Sequence, residues 1–191
     1  MNQVTKIDLP AILEELGPKF AECADWLDAT DGFVAENYNL LREHKVFSAQ
    51  VPTAYGGGGA SHTEMSEFIR GVARYCPSTG LALAMHQHLI SAAVANDMAG
   101  RPGRPLLEKV ADGELILVST GANDWLESNG TATPVEGGYR INAVKPFASG
   151  SPAGDMMITS AVLEAPGEEP QVIHFPLSLK AEGVTLMGDW Q

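Results

Sequence analysis

Cysteine is scarce: only Cys23 and Cys76 occur in 191 residues, far apart and in no C-x-x-C pair. That argues against a disulfide scaffold or a structural zinc site and points to a reducing compartment. Basic residues are also few. There are 12 Lys and Arg against 24 Asp and Glu, a formal net charge of -12, with no basic cluster. Nucleic-acid binding draws most of its affinity from Lys and Arg neutralising phosphates, so no nucleic-acid partner is expected. The acidic excess reads as a solvated surface, although backbone donors can still hold an anionic ligand such as a nucleotide.

Long apolar runs are missing too. The most apolar stretch, Gly80 to Ala95, is interrupted by His86, Gln87 and His88, too short and too polar to span a membrane. Met1 to Asp8 lacks the basic region and apolar run of a secretory leader, so a cytoplasmic protein is expected.

What is present is a soluble globular composition, 45% apolar and 19% charged, long enough for a sizeable core. The first half reads as helices. Leu9, Ile12, Leu13, Leu16, Phe20, Cys23, Trp26 and Leu27 form one stripe at helical spacing. A second helix covers Val34 to His44, and Val46 to Pro52 reads as extended. Tyr55-Gly56-Gly57-Gly58-Gly59 must turn, and Ser61-His62-Thr63-Glu64 has the form of a capping box. The helix it starts buries Met65, Phe68, Ile69, Val72 and Cys76 and is broken by Pro77, with Ser78 or Thr79 able to cap the next. That next helix, Gly80 to Ala99, is apolar on nearly all sides and is expected at the centre of its bundle. A short helix around Leu106, Leu107 and Val110 ends at Asp112-Gly113.

From Glu114 the pattern shifts to strands. Leu115 to Val118 is one, and Thr131 to Glu136 with Tyr139 to Val144 form a hairpin about a Gly137-Gly138 turn. Met156 to Leu163 and Gln171 to Phe175 follow, joined through Pro166 to Pro170, and Val184 to Met187 begins another. The expected fold is α+β: an all-α bundle over residues 1–112, then an incomplete, antiparallel, β-barrel-like middle domain over 113–191.

The glycine run is not a P-loop, because Ala60-Ser61-His62 stands where Lys and Ser or Thr are needed. His86 and His88 point about 200° apart on a helix and cannot share a metal; each is better read as a hydrogen-bonded core or cleft histidine. Ser151 in Gly150 to Gly154 is no nucleophile elbow, being followed by proline. Two polar segments remain, Ser119 to Trp125 and Lys145 to Ser151. Small hydroxyl residues and backbone donors beside an aromatic suit the edge and face of an isoalloxazine, while composition alone favours ordinary loops.

Taken in order, these pieces resemble the acyl-CoA dehydrogenase family. Leu40 to Phe47 with Val51-Pro52-Thr53-Ala54-Tyr55-Gly56-Gly57 looks like its leucine-rich helix, proline and Y-G-G turn. His86 falls where many members carry a histidine, and Asp112-Gly113-Glu114-Leu115 looks like the junction into the β domain. Thr131-Ala132, Gly138 to Asn142 and Lys145 to Gly150 resemble the hairpin and K-x-F-I-T-N segment, and Ala153-Gly154-Asp155 the A-D opening the next strand. The resemblance implies FAD, with Phe147, Ala148 and Ser149 against the isoalloxazine and Ser119 and Thr120 near its pyrimidine side or the substrate. It also implies α,β-dehydrogenation of an acyl-CoA-like substrate in a homo-oligomer. The family's T-E-P and G-S-D elements are absent between Val118 and Thr131. That keeps open a flavin monooxygenase on the same fold, or a non-catalytic binding module. The family's last domain supplies the catalytic base, so no catalytic residue is assigned within 1–191.

Overall fold

The computed structural model describes residues 6–164, 167 and 169–187, and leaves the side chains of residues 122 and 123 undescribed. Met1 to Thr5, Pro166 and Glu168 of the expected connection, and Gly188 to Gln191 lie outside those residues.

Helix α1 (Leu9–Thr30) starts with Asp8, whose carboxylate accepts from the Ala11 amide, and ends where Asp31 turns left-handed. Leu9, Leu16, Phe20 and Leu27 are buried; Trp26 is not, because its neighbour Leu27 occupies the inward position. Helix α2 (Ala35–Glu43) leads into residues 46–51, which form tight turns (Ala49 N–H to Val46 O, Val51 N–H to Ser48 O) rather than the expected extended segment. Gly57 closes this knot. A Cβ there would sit 2.4 Å from the Val51 carbonyl oxygen and 2.7 Å from that of Ser48.

Helix α3 (His62–Tyr75) opens with the complete Ser61–Glu64 capping box and buries Met65, Phe68 and Val72. Helix α4 (Pro77–Met98) has proline in its first turn and no side-chain cap. Thr79 instead sits inside the helix, donating to the Cys76 sulfur and accepting from Asn37. Helix α4 packs on α1, α3, α5 (Arg104–Gly113) and strand β1 (Leu117–Ser119), so it is central, although Leu81 and Met98 face outward.

Past Glu114 the chain builds a sheet from β1, β2 (Gly130–Val135), β3 (Gly138–Ala143), β4 (Met156–Leu163) and β5 (Gln171–Ser178). Its pairing is mixed, not purely antiparallel, and it is open among the described residues. Strand β5 pairs antiparallel along all of β4, while β1 (through Ile158) and β2 (from Val162) run parallel to β4. One edge of β4 is fully taken by β5, so β1 and β2 must share the other. The β2–β3 turn is Glu136-Gly137, one residue earlier than expected, since Gly138 already pairs with Val135. Val184 to Met187 has no strand partner among the described residues and so forms no strand. A five-residue helix, α6 (Ala122–Leu126), occupies what reads as a plain loop.

Helices and sheet share their interior. Ile116 and Leu117 point to opposite sides of the extended chain, Ile116 into the cluster of Phe20, Leu41 and Phe68, Leu117 into that of Leu89, Ile90 and Leu107. Polar ties reinforce the join. Asp155 binds Arg42 at 2.6 Å and accepts the Ile116 amide at 3.0 Å, and Glu114 accepts both the amide and the hydroxyl of Ser48. Burial raises the Glu114 pKa despite those hydrogen bonds.

Candidate functional site

Two segments flank the central strand: Ser119 to Asp124 leaving β1, and Lys145 to Gly150 leaving β3. They meet at one carboxylate. Asp124 accepts hydrogen bonds from the hydroxyls of Thr120 and Thr159, the latter at 3.1 Å, and from the Asn129 amide at 3.4 Å. Lys145 forms an ion pair with it, both side chains being under 10% exposed. The Lys145 ammonium also donates to the Ser160 carbonyl at 2.7 Å and to the Ser128 hydroxyl at 3.4 Å. Burial alone would push the Asp124 pKa up; the hydrogen bonds from Lys145 and Thr120 outweigh it and hold the carboxyl below its ordinary value.

The five expected site residues differ in setting. Ser119 and Thr120 are buried, Thr120 engaged with Asp124 and Ser119 accepting the Gly121 amide at 3.4 Å. Phe147 is 84% exposed and left-handed, with φ of 56°. The segment is therefore not the extended strand in which Phe147 and Ser149 would share a face: the Ser149 amide folds back onto the Phe147 carbonyl at 2.9 Å. Ala148 and Ser149 are half-buried. Among the described residues, the Ala148 amide and the Ser149 hydroxyl make no hydrogen bond. Ser149 also borders a cavity of about 170 Å³ whose wall mixes Leu27, Phe33 and Leu81 with Asp28, Asp31 and Ser78.

Gly150 anchors the turn. It is buried, has φ of 85°, and a Cβ there would lie 3.4 Å from the Tyr38 hydroxyl, itself buried without a partner among the described residues. Tyr38 packs at a tilt against Phe47 (5.2 Å between ring centroids), and Phe47 meets His86 edge to face (5.1 Å). His86 is wholly buried and His88 exposed, so the two do not converge.

The arrangement presents an uncovered aromatic ring and, within three residues, an amide and a hydroxyl without partners among the described residues, braced by a buried ion pair and opening beside a cavity of mixed polar and apolar wall. Those groups fit the face and polar edge of a flat heterocycle such as a flavin. In the sequence, Asp124 and Lys145 stand out only as members of their segments. The signal available was a lone Lys and a lone Asp among small polar residues.

Comparison with known proteins agrees with this architecture. Residues 12–114, more than half of the chain, match the family described as acyl-CoA dehydrogenase, N-terminal domain. A dibenzothiophene monooxygenase of Mycolicibacterium goodii is 26% identical over 195 residues, covering 94% of this chain and 44% of that protein. A probable FMNH2-dependent monooxygenase of Pseudomonas putida is 29% identical over 182 residues, again 94% and 44%. A benzylmalonyl-CoA dehydrogenase of Aromatoleum aromaticum is 28% identical, covering 93% and 48%. Among solved structures, TdsC of Paenibacillus sp. A11-2 in complex with FMN and indole superposes with a TM-score of 0.83 at 24% identity, covering 96% of this chain and 46% of TdsC. The chain thus spans just under half the length of these relatives. Among the described residues no helix is long and apolar enough to cross a membrane. In fold and in sequence, the chain belongs to the acyl-CoA dehydrogenase family.

Proposed function

We propose that the protein containing this chain is a flavin-dependent monooxygenase on the acyl-CoA dehydrogenase fold. In this reading residues 1–112 form the helical domain and 113–191 part of the β domain. Phe147, Ala148 and Ser149 lie against the isoalloxazine, Ser119 and Thr120 beneath its pyrimidine side. The observation that carries the reading is Phe147. An exposed aromatic held left-handed costs about 1–2 kcal/mol, and such strain persists where a ligand uses it. The ring supplies a stacking face, with the Ala148 amide and Ser149 hydroxyl directed to hydrogen bonds at a cofactor edge. Buried Thr120 supports that edge from below through Asp124 rather than reaching it.

Monooxygenation is favoured over dehydrogenation by the two monooxygenase relatives and by the missing T-E-P element. The FMNH2-dependent relative, and the FMN in the TdsC complex, favour FMN over the FAD implied by resemblance. A bound reduced flavin would supply two electrons to O2, one oxygen atom passing to the substrate and the other leaving as water. The substrate is then a small molecule, and the protein a cytoplasmic homo-oligomer. The benzylmalonyl-CoA dehydrogenase relative supports the second reading, α,β-dehydrogenation of an acyl thioester with FAD.

One experiment separates them. The whole protein, loaded with FMN or FAD, is mixed anaerobically with short-chain acyl-CoAs, and separately reduced and exposed to O2. Bleaching of the flavin by an acyl-CoA would overturn the monooxygenase reading; reoxidation by O2 without such bleaching is expected.

A further inference from the structure

Between the reach of β1 and that of β2, residues Thr159 to Ala161 of β4 have no strand partner on their shared edge among the described residues. A sheet interrupted in mid-strand leaves backbone groups that need other partners. Here the partner is a side chain: Lys145 donates to the Ser160 carbonyl at 2.7 Å while paired with Asp124. Asp124 holds the other side of the gap, its carboxylate taking the Thr159 hydroxyl at 3.1 Å and its carbonyl the Ser160 hydroxyl.

A buried Lys–Asp pair is a poor source of stability, because desolvating both charges offsets their attraction and an apolar pair of similar size often does as well. Its distinguishing property is geometric, since every member has a fixed partner. Lys145 directly precedes the Pro146 to Gly150 turn, and Asp124 ties to Thr120 at the end of β1. The pair therefore joins the two segments that would lie against a flavin.

We propose that Asp124 and Lys145 are positioning residues: their ion pair, set in the gap of β4, fixes the Phe147–Ser149 turn in the form that accepts the flavin. This rests on the flavin reading above. A plain structural plug would instead affect only the stability of the sheet.

The test is titration of the whole protein with oxidised FMN, followed by flavin fluorescence, in Lys145→Met, Asp124→Asn and the double variant. Val72→Ala, in the buried face of α3 away from the site, serves as a control matched for loss of thermal stability. Each single variant should raise the FMN Kd about tenfold or more, the double no further than the worse single, and Val72→Ala not at all. If Lys145→Met does not fold, Asp124→Asn and Thr159→Val, which removes one donor to Asp124, decide the matter with an expected rise of about threefold.

Phe147→Ala and Ser149→Ala are titrated alongside. If these weaken FMN binding while the ion-pair variants stay within about twofold of the parent, the positioning role is wrong and the flavin reading stands. If all of them stay within that range, both fall. A Kd rise in Val72→Ala equal to that of the pair variants would also overturn the proposal, as the effect would then follow stability alone.

Discussion

The amide of Leu117 donates to Nδ1 of His86 at 2.8 Å, across 31 residues of chain. An amide can only donate, so Nδ1 is the acceptor and the ring proton sits on Nε2, which donates to the Phe47 carbonyl at 2.8 Å. His86 is thereby held neutral, and burial pushes its pKa down to about 4 from an ordinary 6.5.

This fixes a pH dependence. Between pH 4 and 6.5 the unfolded chain binds a proton at this position that the folded chain refuses, so stability rises with pH through that window and is complete above it. The contribution lost on acidification is on the order of 3 kcal/mol. His86→Gln should flatten this part of the profile while leaving the carboxylate part below pH 4. Urea unfolding of both proteins at pH 4.5 and 7 measures it; an equal pH slope in parent and variant would refute the assignment.

Leu83 is fully buried in α4. Leu83→Asp places an unpaired charge in the core and should cost about 3–5 kcal/mol. A melting temperature unchanged from the parent would be incompatible with α4 as the central helix.

The glycines at 56 and 57 are not equivalent. Gly56 needs only its left-handed conformation, with Ala111 at 3.7 Å the nearest obstacle, so Gly56→Ala should cost about 1 kcal/mol. Gly57→Ala drives a methyl into two backbone carbonyls and should cost about 2–4 kcal/mol. Thermal melts of the two variants should rank in that order, and the reverse ranking would contradict the packing described at residues 48–57.

Phe147, being exposed, should be nearly silent in stability: Phe147→Ala is expected within about 0.5 kcal/mol of the parent. Its effect should fall on flavin, with affinity lowered by about 1–3 kcal/mol through lost stacking. Ser149→Ala should cost about 1 kcal/mol as a lost hydrogen bond and shift the flavin potential more than its occupancy. Flavin affinity and potential unchanged in both variants, measured in the whole protein, would remove this segment from the cofactor site.

Local features were legible in the sequence because their causes are local. The Ser61–Glu64 box spans four residues, the α1 stripe repeats at helical spacing, and β4 is mostly apolar, interrupted only by Thr159 and Ser160. The mixed pairing of β4 was not legible, since parallel partners lie far apart and nothing in β4 itself selects them. The Asp124–Lys145 pair spans 21 residues and involves two residue types that are ordinarily solvated. The left-handed Phe147 runs against what a phenylalanine prefers, and a propensity argument cannot find a residue that violates propensity.

His86 and its neighbour Gln87, which donates to the Val46 carbonyl at 2.8 Å, have a consequence for synthesis on the ribosome. The chain emerges N-terminus first, so residues 46 to 117 leave the exit tunnel ahead of Met156, where the strand partner of β1 begins. The Leu117 amide then meets an acceptor already carried by a helix, and β1 docks with no neighbouring strand yet made. The nascent sheet would grow on a finished surface instead of pairing at large, with the Leu117 amide satisfied before β4 arrives. Hydrogen exchange on ribosome-arrested chains halted before β4 emerges would show the Leu117 amide protected if docking comes first, and open if it waits for the sheet.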